Sequence, residues 1–124
     1  MNIALWIVAG LLAAVFGAAG VFKLTQSRSA LREKGLDWVD DFSDRTVKLI
    51  GLSELLAAIG LILPPLLKIA PILAPLAALG LVLVMIGAII THARRKEPQG
   101  IVTTAILLLL AAFVAWGRFG PYSF

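Results

Sequence analysis

Four apolar stretches, each about 20 residues long, constrain this chain more than any other feature of its sequence. An α-helix rises 1.5 Å per residue, so a helix of about 20 residues reaches across the hydrocarbon core of a bilayer. Hydrophobic residues make up 60% of the 124 residues, and a soluble domain of this size cannot bury so much apolar surface. The sequence therefore predicts an all-α, polytopic membrane protein, with residues 1–124 forming a single four-helix bundle.

The spanning helices are predicted at about residues 3–24, 45–67, 70–92 and 101–118. Residues 25–44 form the long connection, in which Ser27–Lys34 is typical of a short helix that Gly35 ends. After it, apolar residues are interspersed with acidic ones: Leu36, Trp38, Val39 and Phe42 with Asp37, Asp40, Asp41 and Asp44. This pattern predicts an amphipathic segment that lies on the cytoplasmic membrane surface.

The acidic residues of the connection admit two interpretations. Carboxylates are ligands of hard divalent cations, but the segment lacks the glycine and ligand spacing of a calcium loop, so a solvated acidic face is favoured. The chain has no cysteine and one histidine, His92, which excludes disulfides, cysteine-ligated metals and multi-histidine metal sites. No metal site is predicted.

Glu54 is a carboxylate within the second spanning helix, six residues or about 9 Å beyond Lys48. A charge at the centre of a bilayer costs roughly 2.5–3.5 kcal/mol on insertion scales. Small residues share its helix face, so Glu54 is predicted to point into the bundle. The candidate partners are Lys23 first, then His92, with Lys48 as an alternative counter-charge. The pair either forms a functional polar site or fastens helices together.

Small residues recur on the predicted helices at spacings of three, four and seven. Such stripes let helix backbones approach closely in a membrane. The predicted packing positions are Gly10, Gly17 and Gly20 in the first helix, Gly51 in the second, and Gly80 and Gly87 in the third.

The basic residues lie mainly on one side of the predicted bundle. Of the 11 lysines and arginines, nine fall in or beside the first and third connections, and Lys68 and Arg118 fall on the other side. The positive-inside rule then places these connections in the cytoplasm and both termini outside. Because this rule accounts for the net charge of +4, no nucleic-acid partner is predicted.

The order of four motifs resembles the DoxX family, specifically its short DoxX-like branch. The segments that carry the resemblance are AAVFGAAGVFKL (13–24), KLIGLSELLAAIGLILP (48–64), PLAALGLVLVMIGAIITHARR (75–95) and AFVAWGRF (112–119). The resemblance implies a four-helix bacterial membrane bundle. The family is named after a subunit of thiosulfate:quinone oxidoreductase, and other members are linked to oxidative-stress complexes or act as assembly partners. Lys23, Glu54 and His92 occupy its motif positions, none of them an established catalytic residue.

The resulting interpretation is an accessory subunit in a bacterial inner membrane, beside a redox or quinone-linked partner or in a stress-related complex. Quinone is the only cofactor that this interpretation admits, and no catalytic activity is expected of the chain alone. Alternatives are an assembly partner for another membrane protein, a homo-oligomer, or a small proton-coupled transporter. Small multidrug transporters are also built around one membrane glutamate, but they carry it in the first helix.

Overall fold

The computed structural model describes residues 2–123, apart from the side chains of Arg28 and Asp37. Over this range the chain forms five α-helices and one 3-10 helix, η1, without any strand. Their bounds are Asn2–Thr25 for α1, Arg28–Glu33 for α2, Asp37–Asp41 for η1, Asp44–Leu67 for α3, Leu73–Arg94 for α4 and Pro98–Phe119 for α5. Within residues 2–123, four helices, α1, α3, α4 and α5, are long and apolar enough to cross a membrane. The predicted all-α four-helix membrane bundle is confirmed.

Two helix starts differ by three residues from the predicted bounds. Helix α4 begins at Leu73 rather than residue 70, because Lys68 and Ala70 have φ angles of 56° and 47° that turn the chain. Helix α5 begins at Pro98 rather than residue 101. Proline suits the first helical position, where its missing N–H would have had no helical partner.

Helices α1 and α3 form the closest packed pair of the bundle. A Cβ atom added to Gly20 would lie 2.6 Å from the carbonyl oxygen of Gly51, and one added to Gly51 would lie 2.6 Å from the Cβ of Lys23. Both distances are below van der Waals contact, so only glycine allows the two backbones to come this close. At Gly17 the corresponding distance, to the Cβ of Ala58, is an ordinary 3.7 Å.

Among the described residues, nothing packs closely on Gly10, Gly80 or Gly87, where the sequence predicted close helix packing. A Cβ added to any of the three would meet no other heavy atom within 4 Å. The bundle core instead uses larger side chains, among them Phe16, Leu61 and Leu81. The residues of α4 that seal this core are Ala78, Leu81 and Met85, which lie on another face of the helix from Gly80 and Gly87.

Large apolar side chains also cover the outside of the bundle. Ile7, Leu56 and Leu109 are each more than half exposed, and other exposed large apolar residues occur along all four long helices. In water such a surface would be unfavourable, whereas lipid tails solvate it without cost. The protein is therefore a multi-pass membrane protein whose outer surface contacts the bilayer.

The connection between α1 and α3 has a small hydrophobic core of its own. Leu31, Val39 and Val47 are completely or almost completely buried there, so α2 and η1 pack onto the beginning of α3. Ser27 caps α2 and Ser43 caps α3, each accepting a hydrogen bond from a backbone N–H of the following turn. These contacts fix the connection against one end of the bundle.

Candidate functional site

Lys23 and Glu54 form a buried ion pair between α1 and α3. The Nζ of Lys23 donates a hydrogen bond to Oε1 of Glu54, and these residues are only 8% and 2% exposed. The close approach of Gly20 and Gly51 brings the two side chains together, because Lys23 follows Gly20 by three residues and Glu54 follows Gly51 by three. The structure thus gives Glu54 the partner that the sequence ranked first.

Lys48 does not serve as a counter-charge to Glu54. Its ammonium donates to the backbone carbonyls of Lys23, Leu24 and Gln26 at 3.0, 3.1 and 2.9 Å. These carbonyls lie at the C-terminal end of α1, where the backbone leaves acceptors without helical partners and carries partial negative charge. In the described part of the chain the ammonium of Lys48 is thus bound to the end of α1, and Glu54 pairs with Lys23 instead.

His92 is held by a residue that the sequence interpretation did not consider. Its Nδ1 lies 2.9 Å from Oε1 of Glu97, and its ring packs on Gly100, where an added Cβ would fall 2.4 Å from Nδ1. The hydrogen bond to His92 is the main cause that lowers the pKa of Glu97, and Arg95 contributes. The sequence signal that could have identified this contact is Glu97 itself, an acidic residue five positions after His92 and directly before Pro98.

A cavity of about 550 Å³ lies inside one end of the bundle. Most of its lining is apolar, and its charged and polar side chains come from Lys23, Glu54, His92 and Arg94, together with the hydroxyl-bearing Thr91 and Thr104. The η1 residue Trp38, with Phe42 directly after η1, lines it from the connection. The cavity therefore brings together the three motif residues that the sequence singled out.

The position of the cavity follows from how the helices are joined. At the far end of the bundle α3 approaches α4 closely, with an added Cβ at Gly60 falling 3.1 Å from that of Ala77. At that same end α5 approaches α1, because Gly117 lies against the side chain of Leu5. The cavity is lined instead by the second halves of α1 and α4 and the first halves of α3 and α5. At the cavity end the close contacts are instead within the pairs α1–α3, at Gly20 and Gly51, and α4–α5, at His92 and Gly100. The cavity lies between these two pairs.

The aspartates of the connection are engaged with arginines. Asp40 pairs with Arg32 at 2.5 Å, and Asp41 accepts from Nη1 of Arg95 at 3.0 Å. This arrangement agrees with a solvated, ion-paired face better than with a cation site. Asp37, the other member of this acidic group in η1, has its side chain outside the described part.

A comparison with known protein families matches residues 7–114 to the DoxX-like family. The chain belongs to the DoxX-like family. The matched range includes all three residues of the polar group in the cavity, Lys23, Glu54 and His92. Searches of curated proteins and of solved structures found no match.

The cavity of this DoxX-like protein has mostly apolar walls and a few charged and polar side chains. Ligand pockets commonly enclose about 300–1,000 Å³, with mostly apolar walls and a few polar groups that orient the ligand. Because Nδ1 of His92 is occupied by Glu97, its Nε2 is the ring nitrogen left for other contacts. Lys23 offers donors and Glu54 offers a second carboxylate oxygen beside it.

Proposed function

We propose that this DoxX-like protein is an accessory subunit of a bacterial inner-membrane redox or stress complex, and that its cavity binds a quinone head group. The observation that supports this most is the combination of an apolar cavity of about 550 Å³ with the Lys23–Glu54 pair in its wall. A quinone has this dual character, since its ring and tail are apolar and its two carbonyl oxygens accept hydrogen bonds.

The residues of the cavity fit such a molecule by their chemistry. The ammonium of Lys23 can donate to a carbonyl oxygen, and His92 can exchange a proton through Nε2. Trp38 and Phe42 offer aromatic surfaces against which a flat ring can stack. When bound, a quinone would carry electrons and protons within the membrane, while this chain would hold and orient it and a partner would supply the electrons.

Binding is testable in nanodiscs with menadione, a quinone without a long tail. Quinones quench tryptophan fluorescence, and Trp6→Phe with Trp116→Phe leaves Trp38 as the single reporter, because the chain has three tryptophans. We expect saturable quenching of Trp38. Replacing His92 with Gln or Glu54 with Gln should weaken affinity about tenfold, the value of one hydrogen bond to a charged or strongly polar group.

The matched control is Glu33→Gln, which removes an exposed carboxylate from α2, outside the cavity lining. Its affinity should equal that of the parent. Linear, unsaturable quenching, or equal affinities for the Glu33, Glu54 and His92 variants, would remove the quinone proposal.

A second candidate function is assembly with another membrane protein or with a second copy of the chain. The observation that favours it is the open space at Gly10 and Gly80, since small residues on an outer face let a partner helix approach. Purification from native membranes in mild detergent, with identification of co-purified proteins by mass spectrometry, tests it. Recovery of the chain as a lone monomer would count against assembly.

A drug transporter is less well supported. Such a transporter needs a glutamate that can exchange its proton for a cationic substrate, whereas Glu54 already holds the ammonium of Lys23. We therefore do not propose proton-coupled transport for this chain.

A further inference from the structure

We propose that the ion pair between Asp41 and Arg95 is a latch that holds η1 closed over the mouth of the cavity. The inference rests on the proposed function only in taking the cavity to be a ligand site. It concerns how the site is entered, which the binding proposal leaves open.

The segment 38–42 contributes Trp38 and Phe42 to the cavity lining, and on one side it is anchored to α2 by hydrophobic packing and by the ion pair of Asp40 with Arg32. Val39 is buried in the small core with Leu31 and Val47, so this side is tied to α2 and α3. Trp38 faces inward, with its ring 5.3 Å from Nζ of Lys23. The packing contacts of η1 are mainly with α2, which leaves the opposite side of the segment to a different kind of contact.

That contact is the hydrogen-bonded pair of Asp41 and Arg95. Nη1 of Arg95 donates to Oδ1 of Asp41 at 3.0 Å, across 54 residues of sequence. Arg95 follows the end of α4, so the pair crosses from the connection to the turn between α4 and α5. The segment therefore has a hydrophobic hinge around Val39 on one side, supported by the pair of Asp40 with Arg32, and the fastening of Asp41 to Arg95 on the other.

Arg95 is itself held by residues that reach back into the cavity. Its Nε lies 3.4 Å from Oε2 of Glu97, and Oε1 of the same carboxylate lies 2.9 Å from Nδ1 of His92. His92 lines the cavity. A chain of polar contacts thus runs from the cavity wall to the outer edge of the segment that covers it, through His92, Glu97, Arg95 and Asp41. A ligand that displaced His92 would disturb the fastening of the mouth.

The pair is suited to release as well as to closure. The side chains of Asp41 and Arg95 are 45% and 24% exposed, so water can replace each partner when the pair opens. Exposed ion pairs are weak, so thermal motion separates them readily. By contrast, the nearly fully buried hydrophobic hinge would stay in place.

The test measures access to the cavity without any ligand. The chain has no cysteine, so Ala88→Cys places a single thiol in the cavity lining. The protein in nanodiscs is treated with iodoacetamide, a small water-soluble reagent, and alkylation is followed by intact mass. Adding Asp41→Asn, or Arg95→Gln as an independent variant, should raise the alkylation rate roughly two- to fivefold, as expected for loss of one exposed ion pair.

The control is Asp40→Asn in the same background. Asp40 is the neighbouring aspartate, but its partner Arg32 belongs to the same connection, so this change removes a similar exposed ion pair and leaves both the latch and the packing of Val39 in place. Its alkylation rate should stay at that of the parent. An unchanged rate in both the Asp41 and Arg95 variants overturns the proposal, and so does an equal rise with Asp40→Asn.

The outcome is independent of whether quinone binds. Faster alkylation without saturable menadione quenching would support the latch and remove the proposed ligand. Saturable quenching with unchanged alkylation would support quinone binding and remove the latch.

Discussion

Glu54 and Lys23 are each unfavourable in this membrane bundle without the other. Removal of one partner from a buried ion pair costs about 3–5 kcal/mol, because the other charge is left unpaired in a medium of low dielectric constant. We therefore expect Glu54→Leu to lower the free energy of unfolding by about this amount, measured by denaturing-detergent titration with circular dichroism. Glu54→Gln should cost less, since its amide can still accept a hydrogen bond from Lys23.

The double variant is the control for this interpretation. Lys23→Met combined with Glu54→Leu leaves no unpaired charge, so part of the stability lost by either single variant should return. If the two single losses simply add in the double variant, the side chains do not stabilise one another.

Sequence reasoning found this pair because two independent signals agreed. Glu54 had to point away from lipid, and Lys23 lay at the end of a small-residue stripe on the neighbouring helix. The partners of Lys48 and His92 were missed for a physical reason. Lys48 binds backbone carbonyls, which every residue carries, and His92 binds Glu97 across a turn whose geometry depends on Lys96, with its φ of 56°.

At the scale of the elements, α1 and α3 meet most closely at Gly20 and Gly51, a contact called the seam here. The seam has no room for a single added carbon atom. Gly51→Ala would place a Cβ 2.6 Å from that of Lys23, and such overpacking costs typically about 1–3 kcal/mol. We expect a clear fall in the thermal unfolding temperature in detergent, together with disturbance of the ion pair beside it.

Gly80→Ala is the matched control, since open space surrounds this position in the middle of α4. Alanine is favoured over glycine inside a helix by about 0.8–1.0 kcal/mol, so this variant should be unchanged or slightly more stable. Equal destabilisation by the two substitutions would show that the seam is not specially tight.

The four spanning helices could be predicted from the sequence, but the glycines at which they pack closely could not. Hydropathy and length identified four spanning helices, because each helix must satisfy its own backbone in lipid. Small-residue stripes did not distinguish the seam at Gly20 and Gly51 from the open faces at Gly80 and Gly87. A glycine on a membrane helix can face a neighbour or lipid, and spacing along one helix does not record where the next helix lies.

For the whole molecule, the cavity and its cover could not be predicted from the sequence. The cavity lies between the closely packed pairs α1–α3 and α4–α5, and the residues proposed to fasten its cover, Asp41 and Arg95, are 54 residues apart. Hydrophobic periodicity describes each helix alone and says nothing of such distant contacts. The amphipathic pattern of the connection predicted a segment on the membrane surface, but not that Trp38 and Phe42 would line a cavity.

The orientation of the bundle in the membrane sets which compartment the cavity mouth faces. Nine of the 11 lysines and arginines belong to the end that carries the connection, and this bias predicts that the mouth faces the cytoplasm.

Ser29, in α2, and Ser123, after α5, are both exposed, and they lie at opposite ends of the bundle. With no native cysteine, Ser29→Cys and Ser123→Cys each provide a single reactive thiol. A membrane-impermeant maleimide should label Ser123→Cys in intact spheroplasts, and Ser29→Cys only after permeabilisation. Labelling of both from the same face would contradict the fold, whereas the reversed pattern would keep the fold and turn the cavity mouth to the outside.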